Sequence, residues 1–489
     1  MSDNLPEPLA TAATMPQLVR AAAAAYGEAV AIRLNGETIP DAQASFRELD
    51  ERSAALASGL VARGVGKGAR VGFIAGNGPF FAVAFAAIGR IGAVAVPIST
   101  MIRANELVRV LRQSDVGGLI VQRRFLGNDY ATRLTEALPA LAESGPALRL
   151  AAAPFLRWVA CEGEGLPESF STLDDLVAEG AAIPTSFLAA IESEVHPTDQ
   201  LVEIYTSGSM ALPKGVKHDH GPMLFRARYL AGMLGATRGK EMAAYLPMFW
   251  VGGMMMALMP DWVAGATTVC SERTLSNSQV AMGSVLSAED LAKTAGNPPW
   301  WGLGMSETLG PYSWGDVHRA PGHPVCAPMD HFAPGYEVRT ADEAGNPVPE
   351  GTPGEVQLRG YAVTRGLHKI ARDENFTPDG FYRTGDMGVW EGSRLHFVGR
   401  SGDMIKTAGS NVSPAEVEME LQQIDGVHSA YVVGIPDRER GQLVVAAIVP
   451  REGASLDFAA IEAELRKRLS SYKVPRAWLA IRRDEVPLL

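Results

Sequence analysis

The sequence predicts an α/β protein. A large N-terminal domain, residues 1–400, is read as parallel-rich sheets with helices plus a small β-barrel-like part, and residues 401–489 as a small α+β domain. Two observations carry this. Helical and strand-like spacings alternate from residue 45 to 98, and the texture changes near 333 and again near 400.

Phe46 to Ala62 carries apolar residues at helical spacing and ends near Gly64. Arg70 to Ala75 is a β-rich run closed by Gly76-Asn77-Gly78, Phe80 to Gly89 reads as a buried helix, and Ala93 to Pro97 as a second strand. Strand, helix and strand in so short a span make a βαβ unit, which implies a parallel sheet covered on both faces. Residues 116–122 read as a further strand, and residues 134–195, rich in Ala, Leu and Pro, as connecting structure with short helices. From 333 to 400 short strands such as Gly354 to Leu358 and Arg394 to Phe397 lie between Gly, Pro and Asp turns, the pattern of an antiparallel sheet or barrel. After Arg400, Ser413-Pro414 predicts a capped helix start, followed by strands at 430–433 and 443–449 and a helix over 458–469.

Composition narrows the function. The chain of 489 residues is too long for one core, and 47% hydrophobic with 20% charged residues excludes disorder. A net charge of −11, from 55 acidic and 44 basic residues, argues against a nucleic-acid partner. Cys161, Cys270 and Cys326 are far apart with no CxxC pair, so neither a disulfide framework nor a zinc site is expected and the cytoplasm is the default. No signal peptide is evident behind Met1-Ser2-Asp3-Asn4, and the apolar run from Phe80 stops at Arg90, short of a transmembrane segment.

The chemistry concentrates in Tyr205-Thr206-Ser207-Gly208-Ser209-Met210-Ala211-Leu212-Pro213-Lys214-Gly215-Val216, between a strand-like run and a helical one. Small residues let backbone amides and hydroxyls surround phosphate oxygens, and Lys214 adds positive charge. Pro213 and Gly215 exclude a Walker loop. A plain polar turn is the alternative. His218 and His220 make an HxH pair, but no third metal ligand is near in sequence, and the pair is read as a non-site.

This loop resembles the phosphate loop of the adenylate-forming superfamily, which includes acyl-CoA synthetases, peptide-synthetase adenylation domains and luciferases. Further motifs follow in that family's order. Leu246 to Gly253, with Phe249, Trp250 and Gly252, resembles the acyl-pocket segment, and Gly304-Met305-Ser306-Glu307-Thr308 the GxTE motif. Tyr382-Arg383-Thr384-Gly385-Asp386 matches YRTGD, and Gly399 to Lys406 matches GRxxDxIK. The likeness runs from about residue 15 to the C-terminus.

The resemblance implies ATP-dependent activation of a carboxylic acid to an acyl-adenylate and its transfer to coenzyme A, with a fatty or other apolar acid expected. It implies that Lys214, Glu307 and Lys406 are catalytic, and that Thr206, Ser207, Gly208, Ser209, Thr308, Asp386 and Arg400 bind nucleotide. Glu307, helped by Thr206, would hold Mg²⁺, and Asp386 would meet the ribose diol. Gly402 would be the hinge on which the small domain turns. On their own residues, Asp386 is sooner a turn aspartate, Arg400 and Lys406 surface cations, and Met254, Met255, Met256 and Met259 sooner a buried methionine-rich helix than a soft acyl pocket, while Gly402 is equally an ordinary turn glycine.

Four departures from the family pattern set a second expectation, a catalytically impaired relative that binds nucleotide or acyl ligand without efficient turnover. Met210-Ala211 replaces Thr-Gly, and Leu303 stands where an aromatic residue stacks on adenine. The stretch 254–303 is shorter than its counterpart, and the chain ends at Val486-Pro487-Leu488-Leu489, ahead of the family's C-terminal lysine. The small domain is therefore read as incomplete, with adenylation expected to be slower than thioester formation.

Overall fold

A computed structural model of the protein describes residues 5–206, 213–273, 300–316, 329–400, 405–408, 410–412 and 414–483. Helix α1 (Met15–Tyr26) leads into a hairpin of β1 (Val30–Asn35) and β2 (Ala42–Ser45). Ser45 then starts α2 (Phe46–Ala62) with a capping box: its Oγ accepts from Glu48 N at 3.1 Å while the Glu48 carboxylate accepts from Ser45 N at 2.7 Å.

A seven-stranded sheet follows, built from β3 (Arg70–Ile74), β4 (Val94–Ile98), β5 (Gly118–Val121), β6 (Trp158–Cys161), β7 (Phe170–Thr172), β8 (Gln200–Thr206) and β9 (Lys214–Asp219). Its order is β9-β8-β4-β3-β5-β6-β7, parallel throughout except for the β8–β9 pair. Helix α3 (Pro79–Arg90) joins β3 to β4, and α4 (Ala104–Gln113) joins β4 to β5. Every residue of α3 except Phe80 is buried, as its unbroken apolar run predicts. The reading of 134–195 as connecting structure needs correction, because β6 and β7 complete the main sheet from inside it. They have four and three residues, too few to display a strand period.

Helix α5 (His220–Leu234) ends at Gly235, which takes the left-handed conformation (φ +67°) that a helix stop favours in glycine. Two more strands, β10 (Glu241–Ala244) and β11 (Thr267–Ser271), join the first hairpin in a second sheet of order β10-β11-β1-β2. Between them Met254, Met255 and Met259 are buried in the main core, the methionine-rich buried segment expected.

From residue 300 to Arg400, the strand pairs among the described residues are antiparallel. One sheet holds β12 (Trp300–Met305), β13 (Gly310–Asp316) and β14 (His331–Phe332). A second holds β15 (Tyr336–Ala341), β16 (Gly354–Gly360), β17 (Tyr382–Glu391) and β18 (Arg394–Arg400). A Met329–Leu395 bridge and a shared core, including Leu303, Tyr312, Val356 and Leu358, join the two. The last unit has a five-stranded sheet of β19 (Ile405–Thr407), β20 (Ser410–Val412), β21 (Val427–Asp437), β22 (Gly441–Pro450) and β23 (Ala477–Ala480). With α6 (Pro414–Gln422) and α7 (Phe458–Arg468) it encloses a core of its own. Among the described residues, no helix is long and apolar enough to cross a membrane.

One carboxylate ties several of these pieces together. Glu272, just past β11, is buried and accepts from the backbone of Glu37 (2.7 Å), Thr38 (2.6 Å) and Leu126 (2.6 Å), and from the Thr38 hydroxyl. Burial works against its charge, but these hydrogen bonds outweigh it and hold the carboxyl down at about 2. The folded pKa lies below the unfolded value, so the stabilisation is present above pH ~4.5 and disappears as pH falls through about 2. Glu272→Gln is expected to lower stability by ~1–3 kcal/mol at neutral pH. In denaturant titrations from pH 7 downward, the gap from the unmodified protein should shrink below pH ~4; a gap that stays constant to pH ~2 contradicts the assignment.

Candidate active site

The site forms where the carboxyl ends of β4 and β8 face the small unit. A cavity of about 440 Å³ opens there, lined by Pro97, Ile98 and Ser99 after β4, by Tyr205 and Thr206 at the end of β8, and by Pro213. Phe249, Trp250, Val251 and Gly252 form its apolar side with Met256, and Gly304, Met305 and Ser306 approach from β12. Ligands of open α/β sheets gather at such strand ends.

The segment 246–253 is held from below. Asn77, in the turn that begins α3 and almost fully buried, donates from its amide to Leu246 O at 2.9 Å. Its carbonyl accepts from Met248 N at 2.7 Å, so both ends of one side chain clamp the backbone under Phe249. Phe249 and Trp250 pack edge to face with ring centroids 5.5 Å apart. A Cβ on Gly253 would sit 2.2 Å from Pro247 O, which explains glycine at this close turn.

Thr206 and Lys214 are opposite partners on β8 and β9, so the two ends of the predicted phosphate loop meet, both half-buried. Ser207, Gly208 and Ser209 lie outside the described residues, as do Met210 and Ala211. Beside the paired strands β8 and β9 sits a buried polar network. Glu203, fully buried, accepts from the Tyr205 hydroxyl at 2.6 Å and from Arg70 Nε at 3.3 Å. His368 contacts Arg70 at 3.2 Å and Asp115 at 3.2 Å, and its backbone N–H donates to Gly215 O at 2.7 Å. Burial, reinforced by the Glu203 charge, drives the Tyr205 phenol far upward, so it stays a donor.

Glu307 occupies the short turn Ser306–Thr308 after β12 and is buried. The Tyr382 hydroxyl donates to Glu307 Oε1 at 2.9 Å, Thr364 N donates to Glu307 O at 2.7 Å, and His218 Nε2 lies 2.6 Å from Ser306 O. Burial lowers the His218 imidazole to about 4 and His220 to about 3, so both rings are neutral at pH 7. His220 Nδ1 accepts from Met15 N at 3.0 Å. The HxH pair thus props backbone on two sides.

The other expected residues are distributed. The Thr308 hydroxyl, fully buried, serves its own turn, bonding Met305 and donating to Gly310 O at 2.8 Å; it shapes the loop and does not line the cavity. Asp386 is buried on β17 directly opposite Arg400 on β18, away from the cavity wall. Leu303 packs in the core of the small β part. Lys406 is exposed on β19, with Nζ 5.2 Å from the centre of the Phe397 ring, also off the cavity wall. Gly402 lies outside the described residues. Sequence reasoning missed Asn77, taken only as part of a turn, and Tyr382, which lay inside the quoted YRTGD stretch. It also missed the small unit's contribution to the cavity, Ser410, Glu416, Ser470, Tyr472 and Lys473.

Residues 19–301 match the family model for the AMP-binding enzyme, and residues 416–488 the AMP-binding enzyme C-terminal domain. Feruloyl-CoA synthase of Amycolatopsis sp is 28% identical over 497 residues, spanning 92% of this chain and 91% of that protein. Indoleacetate–CoA ligase of Aromatoleum aromaticum is 26% identical over 492 residues, spanning 92% and 91%. Among solved structures, the amide bond synthetase McbA from Marinactinospora thermotolerans superposes with a TM-score of 0.75 at 20% identity, covering 97% of each chain. The o-succinylbenzoate CoA synthetase from Bacillus subtilis gives 0.72 at 20% identity, covering 96% and 95%.

Asn77→Ala removes both bonds to the 246–248 backbone and strands a buried N–H, which should cost ~1–3 kcal/mol. Hydrogen exchange followed by mass spectrometry is expected to speed up over residues 246–253 in this variant, while Tyr382→Phe leaves that segment unchanged. Equal protection in Asn77→Ala and the unmodified protein contradicts the clamp.

Proposed function

The chain belongs to the AMP-binding enzymes, and from that premise we propose that it is an acid–CoA ligase: it joins an organic acid to AMP at the expense of ATP and passes the acyl group to coenzyme A. The observation that carries the reading is the cavity in which Thr206 and the Gly304–Ser306 stretch meet the apolar Phe249, Trp250 and Gly252. Polar groups suited to phosphate thus adjoin a wall suited to an acyl or aryl body. The named activities of the feruloyl and indoleacetate relatives support an apolar acid, an aryl acid foremost.

In the first step a carboxylate oxygen attacks the α-phosphorus of ATP, and pyrophosphate leaves. Lys214, opposite Thr206, supplies positive charge where negative charge accumulates. Asp386 and Arg400, cross-strand partners, are proposed for the ribose and phosphate. Glu307 and Thr206 are proposed to hold Mg²⁺, a hard cation that takes a few protein oxygens and keeps several waters. Mg²⁺, when bound, would neutralise phosphate charge; Tyr382 would meanwhile keep the Glu307 carboxylate oriented. In the second step the thiol sulfur of coenzyme A bonds to the acyl carbon and AMP leaves. Lys406 is assigned to this step, with residues 1–400 and 401–489 as the two domains and Gly402 as the hinge between them.

One observation favours the second reading, a relative that binds without efficient turnover. Leu303, at the position expected to stack on adenine, faces the small β core.

Acid-dependent exchange of labelled pyrophosphate into ATP separates the two. The ligase reading expects exchange with at least one aryl or short apolar acid, a loss of about 10²–10³ in rate for Lys214→Ala, and thioester on adding coenzyme A. ATP binding by calorimetry without exchange for any acid supports the impaired reading. Exchange followed by capture of amines alone would assign a different acceptor.

A further inference from the structure

The cavity has a wall that the large domain does not provide. Ser410, Glu416, Ser470, Tyr472 and Lys473, all from the small unit, close it on the side facing Trp250. The Tyr472 ring meets Trp250 at 6.3 Å and 86°, and Trp250 in turn meets Phe249 at 5.5 Å and 77°. A run of three rings therefore crosses from one unit to the other along the apolar side of the cavity.

Tyr472 is held there by its neighbour. Lys473 Nζ donates to Glu106 Oε1 on α4 at 2.9 Å and to Glu416 Oε1 on α6 at 2.9 Å. Glu106 Oε2 also accepts from Ser470 Oγ at 2.8 Å, and all four side chains are buried. A second pair, Arg109 with Glu420 at 2.6 Å, joins the same two elements farther along. A buried lysine between two carboxylates has no low-energy alternative position, because moving it strands charge away from water. This fixes the backbone one residue from Tyr472. Burial also pushes the Tyr472 phenol up to about 12, so the ring presents no charge to the cavity.

Resting on the acid–CoA ligase reading, we infer that the small unit takes part in choosing the acid: Tyr472 is a specificity-determining residue that limits the length of the acyl or aryl body beside Trp250, and Lys473 is its positioning residue. The acids affected are those with an apolar body that reaches past the Trp250 ring. Short acids seated against Phe249 are indifferent to the change.

The test compares kcat/KM for benzoate, cinnamate and 4-phenylbutyrate, with KM for ATP and coenzyme A measured alongside. Tyr472→Val is expected to raise the 4-phenylbutyrate-to-benzoate ratio by about tenfold, Tyr472→Phe to leave it unchanged, and Tyr472→Trp to lower it. Lys473→Met should move the ratio in the direction of Tyr472→Val with the KM for ATP unaltered. If the valine variant unfolds, the tryptophan variant, which keeps an aromatic filling, still decides. Turnover of acids by the unmodified protein with an unchanged ratio in the Tyr472 variants overturns this inference and leaves the ligase reading intact. A change confined to the KM for coenzyme A overturns it as well, by assigning Tyr472 to the path of the thiol. No turnover of any acid by the unmodified protein removes the ligase reading on which the inference rests.

Discussion

The architecture depends on burying α3 completely. A helix apolar on every side has no solvent face, so sheets and helices must close around it, and this enclosure sets where its two ends emerge. Its last residue, Arg90, is fully enclosed and cannot remain unpaired. It donates to Glu192 at 2.6 Å, to Asp50 at 2.5 Å and to Ser53 at 3.1 Å, binding the helix end to α2 and to the segment ahead of β8. Arg20 on α1 pairs with the same Glu192. At the other end, Gly78 (φ +149°) lets the chain turn into the helix, and Asn77 beside it clamps the cavity segment. One buried helix thus links the core to the floor of the site.

The phosphate-loop side obeys the same logic with a different device. Strands β8 and β9 are paired as far as Thr206 and Lys214, and Glu203, Arg70, His368 and Asp115 form a polar network beside them. The loop between β16 and β17 reaches the network through His368 N to Gly215 O and Thr364 Oγ1 to Lys217 O at 2.7 Å. Thr364 also bonds the Glu307 carbonyl. The segment 364–368 therefore spans β9 and the Glu307 turn, and a shift of either is transmitted to the other.

Much of this was legible in the residues. The βαβ period predicted β3, α3 and β4 to within one or two residues, because a continuous apolar helix and β-branched strands leave little choice. Thr206, Phe249 and the Gly304–Ser306 stretch, taken from three separate motifs, line one cavity. The strands β6 and β7 were not legible, because a four-residue and a three-residue strand display no period and join the sheet only by pairing, β6 on the edge of β5 and β7 on β6. Nor was Asn77, whose partners lie about 170 positions away in a segment that local spacing cannot connect to it. Tyr472 and Lys473 share that reason: their significance arises only when α4 and the small unit meet.

The buried ion pairs fall at joints between elements rather than within them. Arg90 with Glu192 joins α3 to the helix Thr185–Ser193, Arg70 with Glu203 joins β3 to β8 across β4, and Lys473 with Glu106 joins the large and small units. In terms of net stability such pairs contribute little, because desolvation offsets much of the attraction, yet a mispaired arrangement is costly. Their effect is on geometry: apolar packing tolerates sliding, whereas a charge between fixed partners does not. The cavity has apolar walls from three separated segments, and each wall stands next to one of these joints or to the Asn77 clamp. Apolar surface supplies the volume in which a ligand can be held, and the buried polar contacts decide the shape of that volume.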